Sequence, residues 1–146
     1  MVGGLIATVA VTRQPELFTA TVLEDPIVDI IEYLSTNDDA FNKKVFGDIN
    51  EKDIYEHIKS YSPYHVEINK KLSNLLILSS EDHPQAHHGR KLIARLRNEF
   101  NDQKNFNRIF FKQVTSSDPE IAKIALWQAF VINSAFKQDV LIRPNE

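Results

Sequence analysis

No cysteine occurs among the 146 residues, so disulfides and thiolate metal sites are excluded. Charge of one sign is also scarce. The net charge is -3 and the lysines and arginines are spread along the chain. No basic stripe suggests nucleic acid, and no acidic tail suggests a solvating segment. A long hydrophobic run is missing too. The stretch Val2–Val11 is apolar, but it lacks a charged start and falls short of the roughly 20 residues a bilayer requires. It reads as a buried helix, and the expectation is a soluble cytoplasmic protein without membrane contact. Internal repeats, low-complexity tracts and long linkers are absent as well. With 42% hydrophobic residues, the length suits one domain with a modest core.

What is present alternates between helical and extended patterns. Gly3–Arg13 is apolar nearly all round, as expected of a helix lying under a sheet. Thr19–Glu24 is short and β-branched, hence a strand, and Asp25-Pro26 ends it. Ile27, Ile30, Ile31 and Leu34 recur at helical spacing. Asn37-Asp38-Asp39 and Gly47-Asp48 mark irregular chain. Asn50 is expected to cap a helix through Ser60, which Ser62-Pro63 closes. Leu75–Ser79 is a continuous apolar run, the pattern of a strand buried on both faces. Gln85–Phe100 suits a helix with Leu92, Ile93 and Leu96 turned inward, and Arg108–Val114 a further strand. Ser117-Asp118-Pro119-Glu120 starts a last helix, to about Phe136. That helix is expected to bury Ile121, Ile124, Ala125, Ala129, Ile132 and Ala135. The order of elements argues for an α/β fold with a parallel sheet.

Short segments stand out within this frame: Gly3-Gly4-Leu5, Gln14-Pro15-Glu16-Leu17-Phe18, Asp29, Gly47, and Tyr61-Ser62-Pro63 with His65. Leu75-Leu76-Ile77-Leu78 and His88-Gly89-Arg90-Lys91 follow. As an ordered set they resemble the prolyl oligopeptidase family of serine peptidases, in the C-terminal portion of its catalytic domain. The resemblance covers most of the chain and weakens after about Arg97. It implies a partial α/β-hydrolase fold, about three parallel strands flanked by helices on both faces, with residues 1–146 as one C-terminal portion of that domain. The activity it implies is serine-type peptide hydrolysis, with no cofactor and no metal.

Serine-type acyl transfer needs a nucleophile, a base, an acid to orient it and an oxyanion hole. The resemblance places the nucleophile at Met1, which cannot attack a carbonyl. No other serine stands in a Gly-x-Ser-x-Gly context. The next position, whose backbone N–H serves the oxyanion hole in the family, is Val2. Glu81 falls at the place of the catalytic acid, and a shift of one residue substitutes Asp82. Both also suit the start of the following helix by charge alone. The family's base lies in a loop between the last strand and the last helix. Here that loop, Gln113–Pro119, holds no histidine, and none occurs after His88. Without a base a hydroxyl is a poor nucleophile.

The family's substrate pocket falls on Ile27, Asn42 and Phe46, so that its proline-stacking ring becomes Asn42 and its tyrosine Phe46. Losing both removes much of what selects proline. Ile27, Phe41 and Phe46 are expected in the core instead, as is Trp127. His83 and His87 beside Glu81 have the i, i+4 spacing of a metal pair. With no third ligand identifiable from spacing, they and His88 are read as partly exposed histidines at a helix start.

The expectation is a truncated peptidase-family chain, a pseudoenzyme without activity of its own. Two alternatives stand beside it: the complementing half of a split serine hydrolase, and a non-catalytic binding module on the hydrolase scaffold. In the complete family domain the strand at 19–24 pairs with the nucleophile's strand. A chain supplying the upstream half of the sheet, or self-association through that edge, is therefore expected.

Overall fold

The computed structural model describes residues 2–68, 71–99, 109–115 and 118–142. Expectations placed on Met1, Phe100, Arg108, Ser117 and the side chain of Ile121 lie outside the described residues. The elements are α1 (Val2–Arg13), a 3-10 turn at Pro15–Leu17, β1 (Ala20–Glu24), α2 (Ile30–Thr36), α3 (Ala40–Phe46) and α4 (Lys52–Tyr61). They continue with β2 (Asn74–Ser80), α5 (Ala86–Glu99), β3 (Ile109–Val114) and α6 (Glu120–Ile142).

The three strands form one sheet in the order β1-β2-β3, parallel throughout, with Val22 opposite Leu76 and Leu76 opposite Phe110. The central strand explains the unbroken apolar run: Leu75 to Ser79 are all buried because helices cover both faces. Leu23, Leu75, Ile77 and Ile109 share one face and pack with Leu92, Ile93 and Leu96 of α5. Gly89 permits this approach, since a Cβ there would stand 3.2 Å from the Ser79 side chain. Register places Glu24 and Phe110 on the opposite face. There α6 meets them through a Glu24–Lys123 ion pair at 4.0 Å and an edge-to-face contact of Phe110 with Phe130. A second core cluster joins Leu5 of α1 to Ile27, Ile30, Tyr33, Leu34 and Ile58.

Helix α1 passes beneath the chain at Pro26, and Gly4 lets it do so: a Cβ would lie 2.9 Å from Pro26 Cα. The buried hydroxyls of Thr8 and Thr12 donate to the carbonyls of Gly4 and Thr8, at 2.6 and 2.8 Å, so neither is stranded under the sheet. Its burial is one-sided, however, and Ile6 is exposed. At the other end of β1, Asp25 takes a positive φ of 41°. Its carboxylate accepts hydrogen bonds from the Ser80 N–H and hydroxyl, at 2.7 and 2.6 Å, which ties the C-terminal ends of β1 and β2 together.

Four local expectations are corrected. Ile27 precedes α2 rather than belonging to it. The segment between the irregular stretches at 37–39 and 47–48, where the sequence indicates no element, is the helix α3, whose N-cap Asp39 accepts from the Asn42 N–H at 2.8 Å. Its apolar residues Phe41 and Val45 face outward, so no inward stripe announced it, and Phe41 is not in the core but exposed. Asn50 does not cap α4. Glu51 holds that position, and the Asn50 amide donates to Asp48 instead.

The largest correction concerns α6. Lys123, Trp127 and Phe130 are half-buried and Ser134 is buried, whereas Ile124, Ala125, Ala129, Ile132 and Ala135 are exposed. The helix is apolar nearly all round, so its sequence does not say which stripe faces inward. The Glu24 carboxylate and the Phe110 ring select the stripe that offers Lys123 and Phe130. None of the described helices is long and apolar enough to cross a membrane.

Gly47, between α3 and α4, has φ 90° and ψ 178°, a conformation open essentially to glycine alone. A Cβ there would also stand 2.9 Å from Ile54 Cγ2. Gly47→Ala is expected to cost about 2 kcal/mol of stability, read as a lowered urea midpoint at unchanged slope. An unchanged midpoint would show that this turn does not depend on glycine.

Candidate functional site

In a parallel sheet the chemistry-bearing residues gather beyond the carboxyl ends of the strands. Glu81 and Asp82 lie there, directly after β2, and both are exposed. The Glu81 N–H donates to the Val114 carbonyl at 2.8 Å, and its carboxylate accepts from the Gln113 amide at 3.0 Å. His83 follows on the same turn, where its Nδ1 accepts from the Gln85 N–H at 3.1 Å. Val2 opens α1, so its N–H belongs to the first-turn amides that lack an intrahelical acceptor.

Of the three pocket positions, two meet in one apolar cluster and the third is buried beside a helix cap. Ile27 is buried in the cluster with Ile30 and Ile58, and Phe46 packs against its edge. Asn42 is buried, and its amide donates to the Asn37 carbonyl and to Asp39 Oδ2, at 2.9 and 3.0 Å. It braces the α2–α3 turn.

A dense polar cluster lies elsewhere, where α2 starts against α5. Asp29 caps α2: its Oδ1 accepts from the Glu32 N–H at 3.0 Å, and its Oδ2 accepts from Lys91 Nζ at 2.5 Å. Lys91 reaches Glu32 Oε2 as well, at 2.7 Å, and sits 4.3 Å from the centre of the Tyr64 ring. Burial alone would raise the Asp29 pKa, but the Lys91 hydrogen bond, the Glu32 amide and the neighbouring cationic groups outweigh it and hold the carboxyl below its ordinary value.

His88 is fully buried beneath this pair. Its Nδ1 accepts from the Asp29 N–H at 3.4 Å, so Nε2 carries the proton and faces Gln85 Oε1 at 3.1 Å. Burial, reinforced by His87, pushes its pKa down to about 4. The His87 ring lies beside it, with Nε2 3.5 Å from Glu32 Oε1.

Ser62, His65 and Asp29 also come together, three residue types that form a triad elsewhere. Here they cannot act as one. Ser62 is wholly buried, and its hydroxyl accepts from the Ile30 N–H and donates to the Val28 carbonyl, both at 3.2 Å. His65 turns the same nitrogen, Nδ1, toward Ser62 Oγ at 3.1 Å and Asp29 Oδ1 at 3.8 Å. A general base needs one nitrogen for the hydroxyl and the other for the carboxylate. The group is a brace between the start of α2 and the end of α4.

Residues 2–115 match the model of the prolyl oligopeptidase family. The chain belongs to that family. A curated relative, the uncharacterized peptidase RP174 of Rickettsia prowazekii (strain Madrid E), is 38% identical over 93 residues, which span 60% of this chain and 13% of the relative. Among solved structures, the apo prolyl oligopeptidase B of Galerina marginata superposes with a TM-score of 0.76 at 23% identity, over 90% of this chain and 19% of that one. Oligopeptidase B of Leishmania major gives 0.74 at 21% identity, over 90% and 20%. A post-proline cleaving enzyme of Rickettsia typhi gives 0.55 at 27% identity, over 79% and 16%. The fold is thus that of the prolyl oligopeptidase α/β-hydrolase domain, in three parallel strands and their helices. The chain spans well under a quarter of the length of each relative.

Within this prolyl oligopeptidase-family chain, the α2–α5 cluster contains residues that the sequence named singly: Asp29, His65, His88 and Lys91. Glu32 and His87 were missed as its members. Glu32 stands one turn after a cap residue, a common place for a solvated acid, and nothing in its spacing points to α5.

Proposed function

We propose that this chain is a non-hydrolytic segment of a prolyl oligopeptidase-family catalytic domain, supplying scaffold and not chemistry. One observation carries the reading. The loop from β3 to α6, where the family's base belongs, contains no histidine, and no histidine follows His88 anywhere. Of the remaining histidines, His88 is held between a backbone N–H and Gln85, and His65 turns a single nitrogen to both Ser62 and Asp29. On this reading Glu81 or Asp82 occupies the acid's place with no imidazole to orient, Val2 has no oxyanion to stabilise, and Ile27, Asn42 and Phe46 contribute to packing. The purified chain is expected neither to cleave peptide or ester substrates nor to label with a fluorophosphonate serine probe. Stoichiometric labelling of any serine would overturn the proposal.

A second reading has a specific observation in its favour. Strand β1 pairs only with β2 among the described residues, and α6 exposes Ile124, Leu126, Val131 and Ile132. A partner that supplies a strand to β1 and covers part of α6 would satisfy both features. Labelling that appears only on co-expression with a chain carrying the upstream strands would favour a split hydrolase over an inert scaffold. Concentration-dependent dimers without such a partner would favour self-association through the same edge.

A further inference from the structure

The geometry points to a site for a divalent transition-metal ion on the outer face of the α2–α5 cluster, with Glu32, His87 and His88 as ligands. Each offers one ligand atom, and the three atoms lie within 4.8 Å of one another. A tetrahedral ion bound at about 2.0–2.1 Å holds its ligand atoms roughly 3.3 Å apart. His87 Nε2 and Glu32 Oε1 already stand at 3.5 Å, and the two imidazole rings lie 4.3 Å apart between centroids. Small rotations of two half-exposed side chains close the remaining distance to His88.

The surroundings favour a dication. Asp29 and Glu32 face a single lysine, Lys91, so the cluster carries one uncompensated negative charge before any ion binds. Lys91 holds Glu32 Oε2 and leaves Oε1 free to coordinate, the arrangement in which an outer hydrogen bond orients a ligating carboxylate. His88 takes part through Nε2. It exchanges its hydrogen bond to Gln85 for the ion and shifts its proton to Nδ1. Two N–H donors cannot face each other, so the ring must also turn away from the Asp29 N–H, whose contact is already long at 3.4 Å. Two imidazoles and one carboxylate suit Zn²⁺, Co²⁺ or Ni²⁺ and disfavour Mg²⁺ or Ca²⁺. Glu32 and His87 are both half-exposed, which gives an ion entry from solvent and leaves a fourth position for water. The bound ion would clamp α2 to α5 across a span of 55 residues in sequence, from Glu32 to His87.

The test uses the full chain without a histidine tag. Co²⁺ titration is expected to saturate at one equivalent, with the visible bands of a four- or five-coordinate ion, reversed by Zn²⁺ and not by excess Mg²⁺. His87→Ala and Glu32→Gln, both at half-exposed positions, should each weaken Zn²⁺ binding at least about tenfold, the smallest loss seen even for outer partners of metal ligands. His57→Ala, an exposed histidine on α4, should leave it unchanged. Unaltered affinity in both ligand variants, or an equal loss in His57→Ala, would overturn the assignment. So would equal competition by Mg²⁺.

Discussion

Lys91→Met is expected to destabilise the chain by about 2–3 kcal/mol, less than the roughly 3–5 kcal/mol of breaking a fully buried ion pair, because the lysine keeps partial contact with solvent. The asymmetry of the pair is the reason. Asp29 has only 7% of its side chain exposed, whereas Lys91 has 29%. Removing the ammonium leaves the buried carboxylate with the Glu32 N–H at 3.0 Å and His65 at 3.8 Å as its remaining stabilising partners. The methionine also gives up the cation–π contact with Tyr64. Because Lys91 is the foremost of the groups holding the Asp29 pKa down against its burial, that pKa should rise in the variant. Acid unfolding should then begin at higher pH. The sign follows from linkage: a carboxyl with a depressed folded-state pKa stabilises above its unfolded value and loses that contribution as pH falls through the folded one. Urea midpoints for Lys91→Met, Asp29→Asn and the double variant form the decisive cycle. A coupling of at least about 1 kcal/mol is expected, with the double variant more stable than the sum of the single losses allows. Simple additivity would mean that the two side chains are neighbours without being partners.

That pair also shows what the sequence could and could not convey. The strands were legible because each has its own signature: a β-branched stretch for β1, an unbroken apolar run for β2. Parallel pairing followed from the alternation of elements. The inward stripe of α5 was legible as well, since Leu92, Ile93 and Leu96 stand against a strongly polar opposite face. Helix α6 has no such contrast, and only the positions of Glu24 and Phe110, brought beside one another by strand register, decide how it turns. The polar cluster is a product of the same long-range geometry. Asp29 and Lys91 are 62 residues apart, and no local pattern links a helix cap to the second turn of a helix beyond the next strand. The histidines illustrate the point most sharply. Spacing suggested His83 with His87, because i, i+4 is how neighbours meet on a helix. The tertiary fold instead sets His87 against Glu32 from α2 and turns His83 back onto its own loop.

Between pH 7 and pH 4.5 the chain is expected to lose about 2 kcal/mol of stability through His88 alone. The imidazole is fully buried, its Nδ1 is committed to the Asp29 N–H, and burial pushes its pKa down from 6.5 to about 4. A depressed histidine binds its proton more readily unfolded than folded. Its contribution is therefore intact above about 6.5 and declines as pH falls towards 4. His65, lowered in the same direction chiefly by burial, adds to the loss. Glu24 works the other way: burial, helped by Glu120 and opposed by Lys123, raises its pKa, so acidification relieves an unfavourable charge. Asp29, held low, adds to the slope only once the pH falls into the ordinary carboxyl range, where the unfolded chain begins to bind its proton. His88→Gln retains an acceptor and a donor on a neutral side chain. Its urea midpoint, measured in EDTA so that no bound ion adds to the balance, should change much less between pH 6.5 and 4.5 than that of the parent chain. Equal slopes in the two proteins would place the acid-sensitive group elsewhere and reduce His88 to a packing residue at the base of α5.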